Sequence, residues 1–494
     1  MSDFNFIASL ASINVEIGLT IMAIVVLFLD VYLPESKRRN IAYVSFFGLI
    51  ALSVLPLISQ PDNQLYWGGM IRHDVLAQIF KVMVTAAGAI TCLLAIDTKD
   101  LGNRGEFYLI VIVSTLGACL VSAAADLIMV YIALETISIP LYILATFKRD
   151  DMRSAESGMK YFLFGSFASA IMLYGLSLLY GFTGQTGLSE IAAILPVAFE
   201  ETAVPVLGAM VMIVVGFGFK ISAAPFHFWT PDVYEGAPTP VTAFVSVASK
   251  AASFALLVRF FVIAFPVEAI VGGEELQVFW VPLMSVLATV TMTLGNVLAL
   301  VQKNIKRLLA YSSVAQAGYT LIGVAALQNE TEIAVASIGF YMFMYTFTNM
   351  LAFAVVILFS EGNDSEQIAD FAGLANRNRW LALTMTIAFL SLAGLPPAAG
   401  FVGKFFLFNA AVQSGLTWLA VVGIINSLIA VYYYLVVVKV IYFDEADERV
   451  QPVPVSTPYA WMLALNTIII ILLGTALAQP VYNWAQAAAT ALFA

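Results

Sequence analysis

The chain reads as an all-α integral membrane protein of about fourteen transmembrane helices. They are expected to form two inverted five-helix repeats (spans 4–8 and 9–13) in which helices 7 and 12 are broken. Three observations predict this. Of 494 residues, 61 % are hydrophobic and only 11 % carry charge, a balance that no soluble domain of this size has. Apolar windows of about twenty residues, each enough to cross roughly 30 Å of hydrocarbon, recur along the whole length. Lys and Arg gather in every second connection between those windows.

The windows fall near 13–33, 41–59, 74–96, 106–123, 126–146, 157–182, 204–231, 240–265, 277–301, 304–326, 332–360, 380–412, 416–443 and 457–479. No connection is long enough to fold alone, so the chain is one polytopic domain. Its parts are the N-terminal helices 1–3 (1–105), a first repeat (106–265), a second repeat (277–443) and a C-terminal helix 14 (457–494). The N-terminus, MSDFNFIASLASINVEIG, lacks the basic segment of a cleaved signal, so the first span is expected to stay.

Orientation follows from the cations. Lys37, Arg38 and Arg39 follow span 1; Lys99 and Arg104 follow span 3; Lys148, Arg149 and Arg153 follow span 5. Lys303, Lys306 and Arg307, then Arg377 and Arg379, then Arg449 continue the pattern after later odd spans. The alternate connections hold only Arg72. The positive-inside rule then puts the basic loops in the cytoplasm and both termini outside. The connection after span 7 carries Asp232 and Glu235 and no cation, so its side rests on the span count.

Composition also excludes functions. A net charge of −10 without a basic patch argues against nucleic acid. Cys92 and Cys119, both in apolar runs, cannot supply a disulfide framework or an iron–sulfur site. His73 and His227 argue against bis-histidine haem, and no glycine-rich nucleotide loop is present.

The chemistry concentrates in residues 216–250, GFGFKISAAPFHFWTPDVYEGAPTPVTAFVSVASK. Lys220 has no other Asp, Glu, Lys or Arg within ten positions, and Pro225 breaks the helix five residues later. The chain turns at Gly236, and Thr239-Pro240 is the order expected of an N-cap and first-turn proline. Lys250 then lies roughly 15 Å along the next helix, near mid-bilayer. The break is echoed at 394–397 (GLPP), with Lys404 after it, about 170 residues or five spans later. An odd number of spans inverts the second unit, and paired discontinuous helices point to a transport site.

Each candidate has a plainer alternative. Glu135, near the middle of span 5, is either a proton-exchanging acid or a helix–helix hydrogen bond. Lys220 is its expected partner, as half of a switching pair or of a static one. Burial disfavours an ammonium and a nearby carboxylate restores it, so moving that carboxylate moves a proton. Lys250, beside Ser246, Ser249 and Ser253, has no acid in its own helix and suits a relay. Lys404 is roughly 12 Å from the outer end of span 12, so either a relay or a snorkelling cation. Arg259, Lys81 and Lys439 lie nearer span ends and are expected to snorkel or to anchor the chain at the interface. Asp232 and Glu235 are expected to serve as turn and capping groups. His227, Tyr311, Ser312, Gln316 and Tyr345 complete a candidate proton path, with Ser313, Tyr319, Tyr341, Thr348 and Asn349 adding polar groups; His227 is otherwise a cap for the carbonyls freed at the break, and the hydroxyls and amides otherwise join helix to helix.

Taken together, PFHFWTPDVYEGAPTPVTAFVSVASKA, Lys220, Glu135 and GLPPAAGFVGKF resemble the antiporter-like membrane subunits of respiratory complex I. The H-x-W-x-P-D-V-Y-E-G-[AS]-P-T-P-V form is similar to the N-type subunits of NADH:quinone oxidoreductase, rather than to L, M or Mrp-type sodium/proton antiporter subunits. The resemblance implies a proton-translocating subunit of a translocase with Glu135 and Lys220 as a coupled pair, Lys250 as the mid-membrane relay and Lys404 as the exit-side lysine. It implies no lateral helix after span 14 and no cofactor on this chain: NADH, FMN, iron–sulfur clusters and the quinone (ubiquinone or plastoquinone) belong to partner subunits. The implied partners are membrane subunits of the M, K, J, A, H and L types, the hydrophilic redox arm and the lipid bilayer. The rival readings are an Mrp-type antiporter subunit, a plastoquinone-linked NAD(P)H dehydrogenase subunit, and a scaffold with passive lysines.

Overall fold

Hydrocarbon cannot hydrogen-bond the backbone, so a chain this apolar must satisfy its amides within helices. The computed structural model describes residues 6–329, 331–445 and 453–493. Arg449 of the charge pattern and residues 1–5 of the N-terminal segment lie outside the described residues. Each of the fourteen expected windows holds helix. Spans 1–6 are Asn14–Tyr32, Asn40–Ile58, Val75–Ala95, Gly105–Ala123, Leu127–Ala145 and Met152–Thr183. Span 7 is broken into Val204–Ile221 and Trp229–Gly236. Spans 8–11 are Thr239–Ala264, Gln277–Ala299, Ile305–Gln328 and Thr331–Asn363. Span 12 is broken into Arg379–Ala393 and Ala399–Gln413, and spans 13 and 14 are Thr417–Phe443 and Thr457–Leu473.

By length and composition alone, twelve helices among the described residues can cross a membrane, or thirteen with the last bent pair. The count falls short of fourteen because span 12 consists of two fifteen-residue helices, each too short by itself. Span 14 stops at Leu473, and a further helix, Ala478–Phe493, leaves it at 78°. The C-terminal helix 14 expected over 457–494 is thus two helices. The second packs along span 11, with Ala485 against Gly339 and Trp484 edge-on to Phe343. Asp74, Asp126, Asp151, Asn304 and Asn378 cap helix starts. Thr239 does not: it is the first helical residue, and Pro238 occupies the cap.

Loop contacts sort the connections onto two faces. On one, Asp97 accepts from Arg39 and from Ser456 (2.7 Å), the Lys99 N–H donates to Glu361 (3.2 Å) and the Ile368 N–H to Lys303 (2.8 Å). These bonds join the connections after spans 1, 3, 9, 11 and 13. The connection after span 7 belongs with them, because Asp232 and Glu235 pair with Arg307 at 2.9 and 2.8 Å. Its side therefore no longer rests on a count, and the two acids are ion-pair partners rather than turn caps. On the opposite face Ala125 bonds Met70, Leu127 bonds Thr186 and Gly272 bonds Phe199, at 2.7 to 2.9 Å.

Spans 3, 10 and 11 form the buried centre, while spans 1, 2, 6 and 13 turn large apolar side chains outward as a lipid-facing surface needs. In both repeats the broken span follows the longest one, of 32 residues in span 6 and 33 in span 11. At the first break Ser222 takes a left-handed φ of 62°, and at the second Gly394 one of 85°.

Two cations depart from the expectation that they snorkel. Arg259 is wholly buried, holding Asp74 with two bonds of 2.7 and 2.9 Å and the Ser122 carbonyl at 3.1 Å. Lys81 is buried against Glu16 at 2.8 Å. Both are near span ends, but each has an acid on a neighbouring element, which spacing along one helix cannot reveal. Lys439 is largely exposed and pairs with Asp444 at 2.8 Å.

Candidate functional site

Breaking a helix in hydrocarbon frees carbonyls that something must satisfy. At the second break, Gln316 donates to the Leu392 carbonyl (3.0 Å), and Lys404 and Ser427 both donate to that of Ala393 (2.9 and 3.2 Å). The Lys404 ammonium also donates to Ser427 (2.9 Å) and sits 4.5 Å from the centre of the Tyr319 ring. The exposed end of a helix carries partial negative charge, so this ammonium rests where a cation is favoured. It is buried rather than snorkelling.

Lys220 occupies a related position in the last turn of Val204–Ile221, again at a helix C-terminus. The break beside it is closed by the Ala223 N–H on the Gly218 carbonyl (2.7 Å), by Trp229 on Phe219 (3.2 Å) and by Thr291, which accepts from the Ala224 N–H (3.0 Å). Its ammonium donates to Ser138 and lies 5.8 Å from the Tyr142 ring centre. Glu135 stands one turn from Ser138 but accepts from Ser169 at 2.7 Å. The expected Glu135–Lys220 pair does not form by direct contact: Lys220 donates to Ser138, Ser138 to the Leu134 carbonyl, and Glu135 accepts from Ser169. Glu135 is only partly buried, and it interrupts an outward stripe of Ile128, Ile132, Ile139 and Ile143.

Lys250 is buried at the centre. Its ammonium donates to the Ser313 carbonyl at 2.8 Å and to the Ser313 hydroxyl. Tyr234 and Tyr345 each meet that hydroxyl at 3.1 Å. Among the described residues, no carboxylate comes within 4.0 Å of Lys220, Lys250 or Lys404.

From Ser313 the polar strip continues along span 10. Ser312 bonds Tyr434, Gln316 reaches Tyr434 (3.4 Å) and accepts from Tyr341, and its amide meets Leu392, the neighbour of the carbonyl that holds Lys404. Ser312, Gln316 and Tyr345 thus lie together between Lys250 and Lys404. Tyr311 does not join them; it is partly buried against the apolar core. His227 is buried, stacked on Phe228, with no hydrogen-bond partner for Nδ1. Thr348 bonds Ser391 (3.1 Å), and Asn349 donates to Ser246.

Sequence reasoning missed Ser138, Ser169, Ser427, Tyr234 and Tyr434. Ser138 carried a signal, one turn after Glu135 in ETIS. Ser427 and Tyr434 carried none, because hydroxyls in an apolar helix look alike until the partner helix is known. The charged floor under the connection after span 7 was missed too. There Lys306 donates to the carbonyls of Glu235 (2.7 Å) and Ala237 (2.9 Å) and to Glu366 (3.0 Å), and Lys160 meets Asp232 at 2.6 Å.

Comparison with known proteins agrees with this geometry. Residues 124–430 match the family described as NADH:quinone oxidoreductase/Mrp antiporter, transmembrane. NADH-quinone oxidoreductase subunit N of Trichlorobacter lovleyi is 41 % identical over 454 residues, 91 % of each chain. NAD(P)H-quinone oxidoreductase subunit 2 of Nostoc punctiforme is 42 % identical, covering 90 % of this chain and 82 % of its own. A chain in the structure of Thermus thermophilus respiratory complex I with bound aureothin superposes with a TM-score of 0.78 at 30 % identity, over 95 % of this chain and 98 % of that one. On sequence and fold alike, the chain belongs to the NADH:quinone oxidoreductase/Mrp antiporter membrane family and sits among its subunit N members.

Proposed function

We propose that this chain is the proton-translocating membrane subunit of an NADH:quinone oxidoreductase, with Lys220, Lys250 and Lys404 as its proton-bearing groups. The single observation that carries the reading is the environment of those three ammonium groups. Each is buried, Lys220 is held by a hydroxyl and Lys250 and Lys404 by a hydroxyl and a carbonyl each, and none is within 4.0 Å of a described carboxylate. A fixed counter-ion would trap the charge, whereas neutral oxygens hold an ammonium and an amine alike. Glu135, one turn from the Ser138 that holds Lys220, biases the charge on that lysine through space without sealing it.

In the cycle we infer, a proton enters on the basic face, taken as cytoplasmic, and loads Lys220 or Lys250 while the Glu135 charge is close. Weakening that influence releases it along Ser313, Ser312, Tyr434 and Gln316 to Lys404 and the outer face. Moving one charge against about 100 mV costs about 2.3 kcal/mol. A hundredfold change in proton affinity supplies about 2.7 kcal/mol, so a modest rearrangement suffices. Electron transfer, with its NADH, flavin and iron–sulfur chemistry, belongs in this reading to partner subunits, and both termini lie outside a bacterial cell membrane.

The test is Lys250→Ala in the whole assembly, reconstituted in vesicles, with protons moved per electron as the readout. The ratio is expected to fall, and an unaltered ratio discards the relay. The antiporter alternative predicts instead sodium-dependent proton exchange without any electron donor.

A further inference from the structure

We infer that the polar cavity on the basic face is the proton intake of this chain, with the Lys306–Glu366 ion pair as its gate toward Ser313 and Lys250; the inference deepens the pump reading and rests on it. The cavity measures about 570 Å³. It is lined by six carboxylate residues against four cationic ones, so on a face otherwise rich in Lys and Arg this recess gathers protons rather than repels them.

Its floor leads inward along two elements. Lys306 and Ser313 are seven residues apart on span 10 and so lie on one helix face, about 10 Å apart along the axis. Ser313 is the residue that holds Lys250. On Trp229–Gly236, Glu235 faces the cavity while its neighbour Tyr234 reaches the Ser313 hydroxyl. Both elements that build the charged floor therefore also deliver a hydroxyl to the central lysine.

Between cavity and hydroxyls stands Lys306, buried, with its ammonium on two backbone carbonyls and on Glu366. Asn304 braces both Glu366 (3.2 Å) and Glu235 (3.4 Å). Gly236 closes the wall: a Cβ there would lie 2.5 Å from the Arg153 carbonyl, so the turn lies flush against the start of span 6. A cation fixed in this position opposes an incoming proton. When cavity water gives a proton to the Glu366 carboxylate, an O–H bond forms, the ion pair is lost and the Lys306 ammonium is released from that oxygen. The hydroxide left behind exchanges with the aqueous phase. Glu366 then gives that proton up inward and the ion pair re-forms; the Tyr234 and Ser313 hydroxyls each take one proton and give up another, and the neutral amine of Lys250 becomes an ammonium. Glu366 and Lys306 are positioning and gating residues, while Lys250 keeps the translocating role.

The experiment uses the complete assembly in vesicles. Ser360 lines the cavity, and Cys92 and Cys119 are buried, so Ser360→Cys offers one reachable thiol on this chain, and the unsubstituted assembly treated with the same reagent subtracts labelling of the partner subunits. A charged, membrane-impermeant thiol reagent applied from the basic face is expected to cut donor-driven proton movement about tenfold against the same variant unlabelled. Glu366→Gln, which keeps a hydrogen-bond partner for Lys306 but cannot take up a proton, is expected to slow pumping by about tenfold or more, with Glu366→Asp restoring most of it. A thiol that fails to react from that side, or a labelled protein and a Glu366→Gln protein that both pump at the full proton-to-electron ratio, overturns the intake. If Lys250→Ala in parallel lowers the ratio, only the intake has failed; if it does not, the pump reading has failed with it.

Discussion

Replacing Lys404 by Arg separates a lysine that passes protons from one that merely supplies charge. The ammonium makes two bonds of 2.9 Å, to the Ala393 carbonyl and to Ser427, and lies over the Tyr319 ring. A guanidinium can make the same contacts, stacks on aromatic faces at least as well and keeps the positive charge at the helix C-terminus. It cannot give up its proton on the same scale. The reference values for Lys and Arg, about 10.4 and at least 12.5, differ by two units or more, which is about 3 kcal/mol added to deprotonation and a hundredfold or greater slowing of any step that requires it. The neighbourhood is tight: a Cβ on Gly394 would meet the Lys404 Cδ at 2.8 Å. The larger side chain is therefore expected to cost about 1–3 kcal/mol of packing. Co-purification of partner subunits and a thermal midpoint report that cost separately. In vesicles of the assembled complex, with donor-driven acidification read by a pH-sensitive dye, Lys404→Arg is expected to lose protons per electron as completely as Lys404→Ala. Full pumping by the arginine variant alongside loss in the alanine variant would refute proton exchange at this position and leave a structural cation.

Two further substitutions test other parts of the arrangement. Glu135→Gln keeps an acceptor for Ser169 but removes the negative charge; beyond 4 Å and at an effective dielectric near 20, that charge is worth at most about 4 kcal/mol to Lys220. The expected result is a reduced proton-to-electron ratio with normal assembly, and full coupled activity would argue against the pair. Asp74→Asn leaves the wholly buried Arg259 without its counter-ion, at a cost of about 3–5 kcal/mol. Less assembled complex and a lower thermal midpoint are expected, with an unchanged ratio in what does assemble. A changed ratio at unchanged stability would move this pair from the framework into the proton path.

What was legible in the sequence was whatever a single helix announces by itself. Apolar length placed the spans, Pro225 and Pro397 marked the breaks, and an isolated Lys in an apolar run is costly enough to stand out. What was illegible depends on which helices touch. Arg259 looked like an interface anchor because Asp74, its partner, is 185 positions away, and Lys81 looked alike because Glu16 belongs to another span. Tyr311 and Tyr434 are equivalent as letters, yet one lies against the apolar core and the other bonds Ser312. The final helix escaped notice because AQPVYNWAQAAATALF is short and weakly polar, so nothing in its composition separates a tail from a packed element.

In the proposed reading, the placement of the breaks and of the lysines follows from one physical requirement. A proton carrier in hydrocarbon needs a partner strong enough to tolerate its charged form and weak enough to let the proton leave. A carboxylate in contact fails the second condition, as the Arg259–Asp74 and Lys81–Glu16 pairs illustrate: both are buried, close and suited to holding helices together. Apolar side chains alone fail the first. The free end of an interrupted helix lies between these limits, since its carbonyls carry only partial charge and cannot themselves be protonated at ordinary pH. Lys404 uses the end of Arg379–Ala393 directly, and Lys220 belongs to the last turn of Val204–Ile221. Lys250, on a helix without such an interruption, relies instead on the carbonyl and hydroxyl of Ser313. On that reading, a carboxylate in contact marks Arg259 and Lys81 as holding the fold, while neutral oxygens leave Lys220, Lys250 and Lys404 free to exchange a proton.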